Sequence, residues 1–215
     1  PYRIEGQKTI AIELLHQLGW NPPDWIALPA GNLGNTAAVG KALRELSQCG
    51  LLTRLPRILA VQAEGAAPFA HSYDDAFSTR RVVRAETIAT AIRIGDPASH
   101  DRAVLAIRST AGAVVAVGDA EILEAKAVID AAGIGCEPAS AASVAGVRTA
   151  VGRGLVKPDE TVVAILTGHV LKDPGVLAWY HRELEPQPRF ANRPIEVEAD
   201  AEAIASLVTD AWPTP

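Results

Sequence analysis

The stretch Leu28-Pro29-Ala30-Gly31-Asn32-Leu33-Gly34-Asn35-Thr36 decides the fold, because it joins two segments of different character. The run before it, Trp25 to Leu28, is short and apolar and predicts a buried strand, whereas residues 37–46 after it have a helical pattern. A polar, glycine-rich turn at a helix N-terminus directs several backbone N–H groups and the positive end of the helix dipole towards one point. Two interpretations remain open for this stretch alone: a phosphate-binding loop, or an ordinary turn from strand to helix.

The residue types in the turn narrow the kind of phosphate. Gly31 and Gly34 let the backbone approach a ligand closely because they have no Cβ, and Asn32 and Asn35 add side-chain amide donors. The spacing differs from the G-x-G-x-x-G of dinucleotide-binding folds, and no Lys-Ser or Lys-Thr pair closes the loop as in nucleoside triphosphatases. The pattern therefore favours a small phosphate monoester held by amide groups.

Length and charge exclude several function classes. The chain has 215 residues, 48% of them hydrophobic, which suits one sizeable domain with a buried core. Its net charge of −5 gives no electrostatic footprint for nucleic acid, and no apolar run approaches a membrane span. Cys49 and Cys136 are the only cysteines, and two cysteines so far apart fit reduced thiols in a cytoplasmic protein better than a disulfide framework. They also lack metal-ligand spacing.

Strands alternate with helices along the chain. Apolar runs predict strands at 25–28, 57–63, 113–117 and 161–167, with a very short one at 134–136. Helices are predicted from about residue 10 to 18, and at 37–48, 86–94, 101–109, about 120–132, 138–151 and 199–209. Residues 71–84 are predicted to be an irregular surface segment, in which Asp74 and Asp75 are more readily explained by solvation than by cation binding; no metal site is predicted. The predicted fold class is α/β, a mostly parallel sheet with helices on both faces.

Three polar segments follow predicted strands or begin the helix after one. They are Gly31–Asn35, Glu137–Ser140 and Thr167–His169. In parallel sheets ligands bind outside the carboxyl ends of the strands, so we expect these segments to meet at one edge.

Together with the first residues of the chain, these segments resemble the threonine synthases. That family belongs to the fold-type-II pyridoxal 5′-phosphate (PLP) enzymes. The resemblance runs from Pro1 to about Pro174, and the glycine-rich loop alone would indicate only fold type II. The residues that carry it are Pro1-Tyr2-Arg3-Ile4-Glu5-Gly6-Gln7-Lys8-Thr9, Leu28 to Asn35, Ala91-Ile92-Arg93-Ile94-Gly95-Asp96-Pro97, Glu137-Pro138-Ala139-Ser140-Ala141-Ala142 and Leu166-Thr167-Gly168-His169-Val170-Leu171-Lys172-Asp173-Pro174.

The resemblance implies roles for seven residues. The PLP phosphate would be held by Gly31, Asn32, Leu33, Gly34 and Asn35. Thr167 would form a hydrogen bond with the pyridine nitrogen and leave it largely unprotonated, and Arg3 would contact the substrate phosphate.

Three further residues are interpreted from the sequence without a firm role. Glu137 and Ser140 fit a helix start as well as a site role, and His169 is interpreted as structural rather than as a base.

The implied reaction converts O-phospho-L-homoserine and water to L-threonine and phosphate, in a homodimer. Two alternatives stay open. One is another fold-type-II enzyme such as a threonine dehydratase, whose substrate has no phosphate for Arg3 to bind. The other is a non-catalytic half-domain that serves as a binding or regulatory module.

The resemblance also implies that the Schiff-base lysine lies upstream of Pro1. The chain contains no Met, and its five lysines all fall at other motif positions, so no catalytic residue is assigned within it. We therefore expect a fragment that needs the missing N-terminal part of the same enzyme and is inactive alone. Residues 1–182 would form an incomplete large PLP-binding domain, and residues 183–215 a C-terminal tail with a short helix.

Overall fold

The computed structural model describes residues 2–211, so Pro1 of the opening motif and residues 212–215 of the predicted tail lie outside the described residues. Four strands and nine α-helices alternate along that range. The strands are β1 (Trp25–Pro29), β2 (Arg57–Ala63), β3 (Ala113–Val117) and β4 (Val162–Ala164). The helices are α1 (Tyr2–Gln7), α2 (Thr9–Gln17), α3 (Gly34–Gln48), α4 (Pro68–Asp74), α5 (His100–Ser109), α6 (Asp119–Ala131), α7 (Pro138–Gly152), α8 (Pro174–Ala178) and α9 (Ala201–Ala211).

The four strands form one parallel sheet in the order β3-β2-β1-β4. Ala27 of β1 pairs with Leu59 of β2 and, on its other side, with Ala164 of β4. Because the strands are parallel, their carboxyl ends lie at one edge, where the loop after β1 leads into α3. The predicted α/β class with a mostly parallel sheet is confirmed.

Helices cover both faces of the sheet. On one face, alternate residues of β1 and β2 such as Ile26 and Ile58 pack with buried residues of α2, α3 and α5. On the other face, Ala27 and Leu59 pack with α6 and α7. Every residue of β1 is buried, and the burial of two opposite faces explains why this strand reads as a continuous apolar run.

The predicted helix at residues 86–94 is wrong. Only a short 3₁₀ turn, Thr90–Ile92, forms there. Tertiary contacts hold the backbone in another conformation: the N–H of Glu86 donates to Gly65, and the N–H of Ile88 donates to the carboxylate of Asp119. This segment then passes beside Gly31, which makes its irregular course part of the site described below.

The predicted irregular segment at residues 71–84 is wrong in its first part, because α4 extends through Asp74. The buried side chain of Gln62 on β2 accepts hydrogen bonds from the N–H groups of Phe69 and Ala70, at 2.8 and 3.0 Å. A distant glutamine thus replaces the usual N-cap residue of this helix.

Two predicted strands are shorter than expected. Residues 134–136 contribute only one isolated bridge, between Cys136 and His169. The strand predicted at 161–167 and interpreted as buried is β4, which has three half-buried residues. Its position at the edge of the described sheet explains this, because β4 pairs with β1 alone.

The C-terminal segment packs on α6. Tyr180, Leu184 and Phe190 contact a small apolar cluster with Leu123 and Ala127 of that helix. The N–H of Asn192 donates to Nδ1 of His181 at 2.8 Å. The helix predicted at 199–209 corresponds to α9. No helix within residues 2–211 combines the length and apolarity needed to cross a membrane.

Candidate functional site

A cavity of about 450 Å³ lies at the edge formed by the carboxyl ends of β1 and β4. We call it the site cavity. The seven residues that the sequence singled out line it together: Arg3, Gly31, Asn32, Leu33, Gly34, Asn35 and Thr167. They come from α1, from the loop after β1 and from the segment after β4, so the fold gathers three distant parts of the chain.

The Gly31–Asn35 loop presents unusually many free donors. Leu33 is in the left-handed conformation, with φ +64°, and this turns the chain into α3. The backbone N–H groups of residues 31 to 36 donate to no acceptor within the described residues. Six consecutive unpaired N–H groups beside a helix N-terminus form a ready anion site, because a bound phosphate supplies the acceptors that the chain lacks.

Neighbouring segments fix the position of the loop. The N–H of Ala98 donates to Oδ1 of Asn32 at 2.7 Å, and the N–H of Ser99 donates to the carbonyl of Asn32 at 3.3 Å. Gly31 packs so closely that an added Cβ would lie 2.9 Å from Cα of Ile92 and 3.0 Å from the carbonyl of Ala91. The segment at residues 86–94, which was predicted to be a helix, therefore packs against one side of the loop.

Thr167 is anchored by Ser140 of α7. The hydroxyl of Ser140 lies 2.9 Å from that of Thr167 and accepts hydrogen bonds from the N–H groups of Thr167 and Gly168, at 2.9 and 2.8 Å. Glu137 is buried, lines the site cavity, and has Oε1 3.5 Å from Thr167 Oγ1. Glu137 immediately precedes α7 and Ser140 lies in its first turn, which agrees with a helix start. A role of either residue in the site stays a prediction.

Cationic groups surround the remaining wall of the site cavity. Arg3, Arg102 and Lys172 line it, and Nζ of Lys172 is 3.4 Å from Oε2 of Glu137. Neither Arg3 nor Arg102 forms an ion pair with any carboxylate of the described residues. A cavity with two unpaired guanidinium groups and an open N–H loop suits a ligand or ligands carrying phosphate.

Sequence reasoning missed Arg102, Gln7 and Lys172 as cavity residues. Arg102 is in the first turn of α5, and only the packing of α5 on α3 brings it near the loop. Gln7 was quoted in the opening motif without a role, yet its Oε1 is buried without a hydrogen-bond partner among residues 2–211, and it lies 3.4 Å from a Cβ added at Gly34. The signal available in the sequence was the amide side chain of Gln7, three residues after Ile4 on the same helix.

Two other candidates fall outside the site cavity. His169 is exposed, and its Nδ1 accepts the N–H of Leu171 at 3.2 Å. Burial raises the pKa of the Cys136 thiol to about 11, so this thiol stays protonated at neutral pH and is a poor nucleophile. No cluster of three or more potential metal ligands occurs between residues 2 and 211.

The residues present fit a pyridoxal phosphate group. The open N–H groups of the Gly31–Asn35 loop match its phosphate, and the hydroxyl of Thr167 matches its ring nitrogen. Residues 1–168 match the family model described as "Pyridoxal-phosphate dependent enzyme". The chain belongs to this family, and its cofactor is PLP.

The chain is similar to threonine synthases within that family. It is 48% identical to the threonine synthase of Methanosarcina acetivorans over 176 residues, which are 81% of this chain and 44% of the relative. It is 39% identical to the threonine synthase of Methanocaldococcus jannaschii over 212 residues, which are 98% of this chain and 50% of the relative. The chain thus spans about half the length of the curated relatives it matches.

Solved structures share the fold. Threonine deaminase isoform 2 from Solanum lycopersicum superposes with a TM-score of 0.63 at 22% identity, covering 77% of this chain and 45% of that one. Threonine synthase from Escherichia coli gives a TM-score of 0.55 at 20% identity, covering 87% of this chain and 44% of that one. At this level of identity the likeness shows the fold alone, and it favours neither enzyme over the other.

Proposed function

We propose that this chain is part of a threonine synthase that converts O-phospho-L-homoserine and water to L-threonine and phosphate. The observation that carries the proposal is the identity of 39–48% with the archaeal threonine synthases, extending over 81–98% of the chain. The site agrees with it, because the site cavity offers one open anion loop and two separate unpaired guanidinium groups. A phosphorylated cofactor and a phosphorylated substrate together would use both.

We propose the following roles for the site residues. Backbone N–H groups of Gly31, Asn32, Leu33, Gly34 and Asn35 bind the phosphate of PLP, and the hydroxyl of Thr167 donates to its ring nitrogen. Arg3 binds the phosphate of the substrate, since a planar guanidinium can contact two of its oxygens at once. When bound, PLP supplies the electron sink for the reaction, tempered by an unprotonated ring nitrogen.

The lysine that bonds the cofactor is proposed to lie outside these 215 residues. Lys8 and Lys41 each form ion pairs with Glu5 and Glu45. These ion pairs support the assignment, because they occupy the amino groups of both lysines. Lys126 is buried and donates to Asp130 and to the carbonyl of Cys136, each at 2.6 Å.

Lys172 lines the site cavity and therefore makes the proposal testable. Borohydride reduction of the PLP-loaded intact protein, followed by peptide mapping, should label a lysine outside residues 1–215. Labelling of Lys172 would overturn the assignment. Residues 1–215 expressed alone should form no threonine.

The organisation of the whole protein is also proposed. Residues 1–182 would belong to the large PLP-binding domain and residues 183–215 to a C-terminal tail, with the N-terminal part of the same enzyme completing the active site in a homodimer. We place the enzyme in the cytoplasm, in keeping with the free thiols of Cys49 and Cys136. Light scattering of the intact protein tests the dimer.

The decisive assay compares two products of the intact, PLP-loaded protein. With O-phospho-L-homoserine we expect phosphate and threonine to appear in equal amounts, and with L-threonine we expect no rapid release of ammonia. Ammonia from threonine without phosphate release would make the protein a dehydratase. Neither product from a PLP-loaded protein would favour the non-catalytic alternative.

A further inference from the structure

Ser140 occupies a position that decides how Thr167 can bond. Its side chain is fully buried in the first turn of α7, next to the start of the segment that follows β4. Three polar groups surround its hydroxyl oxygen: the N–H of Thr167 at 2.9 Å, the N–H of Gly168 at 2.8 Å and the hydroxyl of Thr167 at 2.9 Å. No other hydrogen-bond partner of this hydroxyl occurs within residues 2–211.

The two N–H groups determine the direction of the third bond. A serine hydroxyl has two lone pairs and one proton, and a backbone N–H can only donate. The N–H groups of Thr167 and Gly168 therefore take both lone pairs of Ser140 Oγ. Its proton then has one acceptor left, which is Oγ1 of Thr167.

This direction leaves the proton of Thr167 free. Glu137 Oε1 is its one acceptor among the described residues, but at 3.5 Å it is too far for a strong hydrogen bond. Thr167 is exposed and lines the site cavity, so the proton of its hydroxyl is available to an acceptor placed there. A hydroxyl that accepts one hydrogen bond is also polarised to donate another more strongly.

We propose that Ser140 is a positioning residue that holds the hydroxyl of Thr167 in place, with its proton free for donation to an unprotonated aromatic ring nitrogen. The inference rests on the proposed binding of PLP in the site cavity. It adds Ser140 as the residue that positions Thr167 for its contact with the ring nitrogen.

The test compares PLP with an analogue in which a C–H group replaces the ring nitrogen. The intact protein is titrated with each, and the ratio of the two apparent affinities is measured. We expect wild type to prefer PLP by roughly fivefold, the value of one neutral hydrogen bond. Ser140→Ala should bring the ratio close to one, as should Thr167→Val. A purely structural role of Ser140 would weaken both ligands equally and leave the ratio unchanged.

Ser143→Ala is the matched control. Ser143 is equally buried on the same helix, but its hydroxyl donates to the carbonyl of Ser140 at 2.8 Å and touches neither Thr167 nor Gly168. This variant should keep the wild-type ratio. A ratio retained in Ser140→Ala would overturn the role of Ser140 while the role of Thr167 stands. No preference in wild type would overturn both, and failure to bind PLP would overturn the proposed function itself.

A measurement on the unmodified protein covers the case in which Ser140→Ala does not fold. Nitrogen NMR of bound PLP, labelled at its ring nitrogen, reports the protonation of that atom directly. The inference requires the resonance of an unprotonated, hydrogen-bonded nitrogen across neutral pH. The resonance of a protonated ring nitrogen would contradict it.

Discussion

Gly31 is the residue at which the proposed phosphate-binding loop packs against the backbone of Ala91 and Ile92. The backbone of Ala91 and Ile92 leaves no space for a Cβ, and backbone atoms cannot move aside as a flexible side chain can. Any larger residue must push the Gly31–Asn35 loop away from its neighbours. The open N–H groups would then no longer converge.

We predict that Gly31→Ala weakens PLP binding by the intact protein by about tenfold or more, the loss of at least one hydrogen bond to a charged group. An absorbance titration with PLP measures this. Gly152→Ala is the control, because nothing lies within 4 Å of a Cβ added there. Equal affinity of both variants would show that the loop is not the phosphate site.

In the proposed function, Arg3 binds the phosphate of the substrate and not that of the cofactor. It is exposed on α1 and lines the site cavity without an ion-pair partner in the part of the chain that is described. Arg3→Lys keeps the charge but loses the planar fork that binds two phosphate oxygens. We expect KM for O-phospho-L-homoserine to rise roughly tenfold, as for one lost charged hydrogen bond, with unchanged PLP affinity. Steady-state kinetics would contradict the assignment if Arg153→Lys, an exposed control at the end of α7, had the same effect.

At the scale of elements, α7 couples the sheet to the site. Gly146 faces β2, and a Cβ there would lie 2.6 Å from Cγ1 of Val61. Because Ser140 lies in the first turn of α7 and bonds Thr167, the distance of α7 from the sheet sets the position of Thr167. The small residues of this helix are therefore a requirement of close packing.

We predict that Gly146→Ala lowers the free energy of unfolding by about 1–3 kcal/mol through overpacking, although alanine is the better helix former. Denaturant unfolding of the intact protein measures it. Gly152→Ala, in open space at the end of the same helix, should be neutral or stabilising by up to about 1 kcal/mol. Similar losses in both variants would remove the packing argument.

Glu160 ties β4 to its neighbour at the opposite end of the strands. The backbone N–H of Lys157, the indole N–H of Trp25 and the guanidinium of Arg57 lower the pKa of Glu160 from 4.5 to about 2. The folded pKa lies below the unfolded value, so this stabilisation is present above pH 4.5 and is lost as the pH falls towards 2.

We predict that Glu160→Gln reduces the difference in unfolding free energy between pH 7 and pH 3. Denaturant curves at the two pH values measure it. Glu13→Gln, at an exposed carboxylate on α2, is the control and should keep the wild-type difference. An unchanged difference in Glu160→Gln would contradict the account of this contact.

The parts of the fold that the sequence predicted are those fixed by local pattern. The apolar run of β1, the turn at Gly31–Asn35 and the helix after it follow from neighbouring residues alone. The segment at 86–94 could not be predicted, because hydrogen bonds to Gly65 and Asp119 override its helical pattern. Arg102 was missed because its position also depends on contacts between distant parts of the chain: only the packing of α5 on α3 brings it to the site cavity.

At the scale of the whole molecule, one cavity gathers Arg3, the Gly31–Asn35 loop and Thr167. In the proposed function, the loop binds one phosphate, Thr167 contacts an aromatic nitrogen and Arg3 binds a second phosphate. The roles of the individual residues stay predictions. They share one requirement, namely that two phosphate groups occupy the cavity at the same time.

A crystal structure of the intact protein with PLP and an unreactive phosphonate analogue of O-phospho-L-homoserine tests this requirement most directly. We predict density for the PLP phosphate on the N–H groups of residues 31–35, for its ring nitrogen at the hydroxyl of Thr167, and for the phosphonate against Arg3. PLP bound with its phosphate elsewhere, or a phosphonate that leaves Arg3 in solvent, would contradict the account.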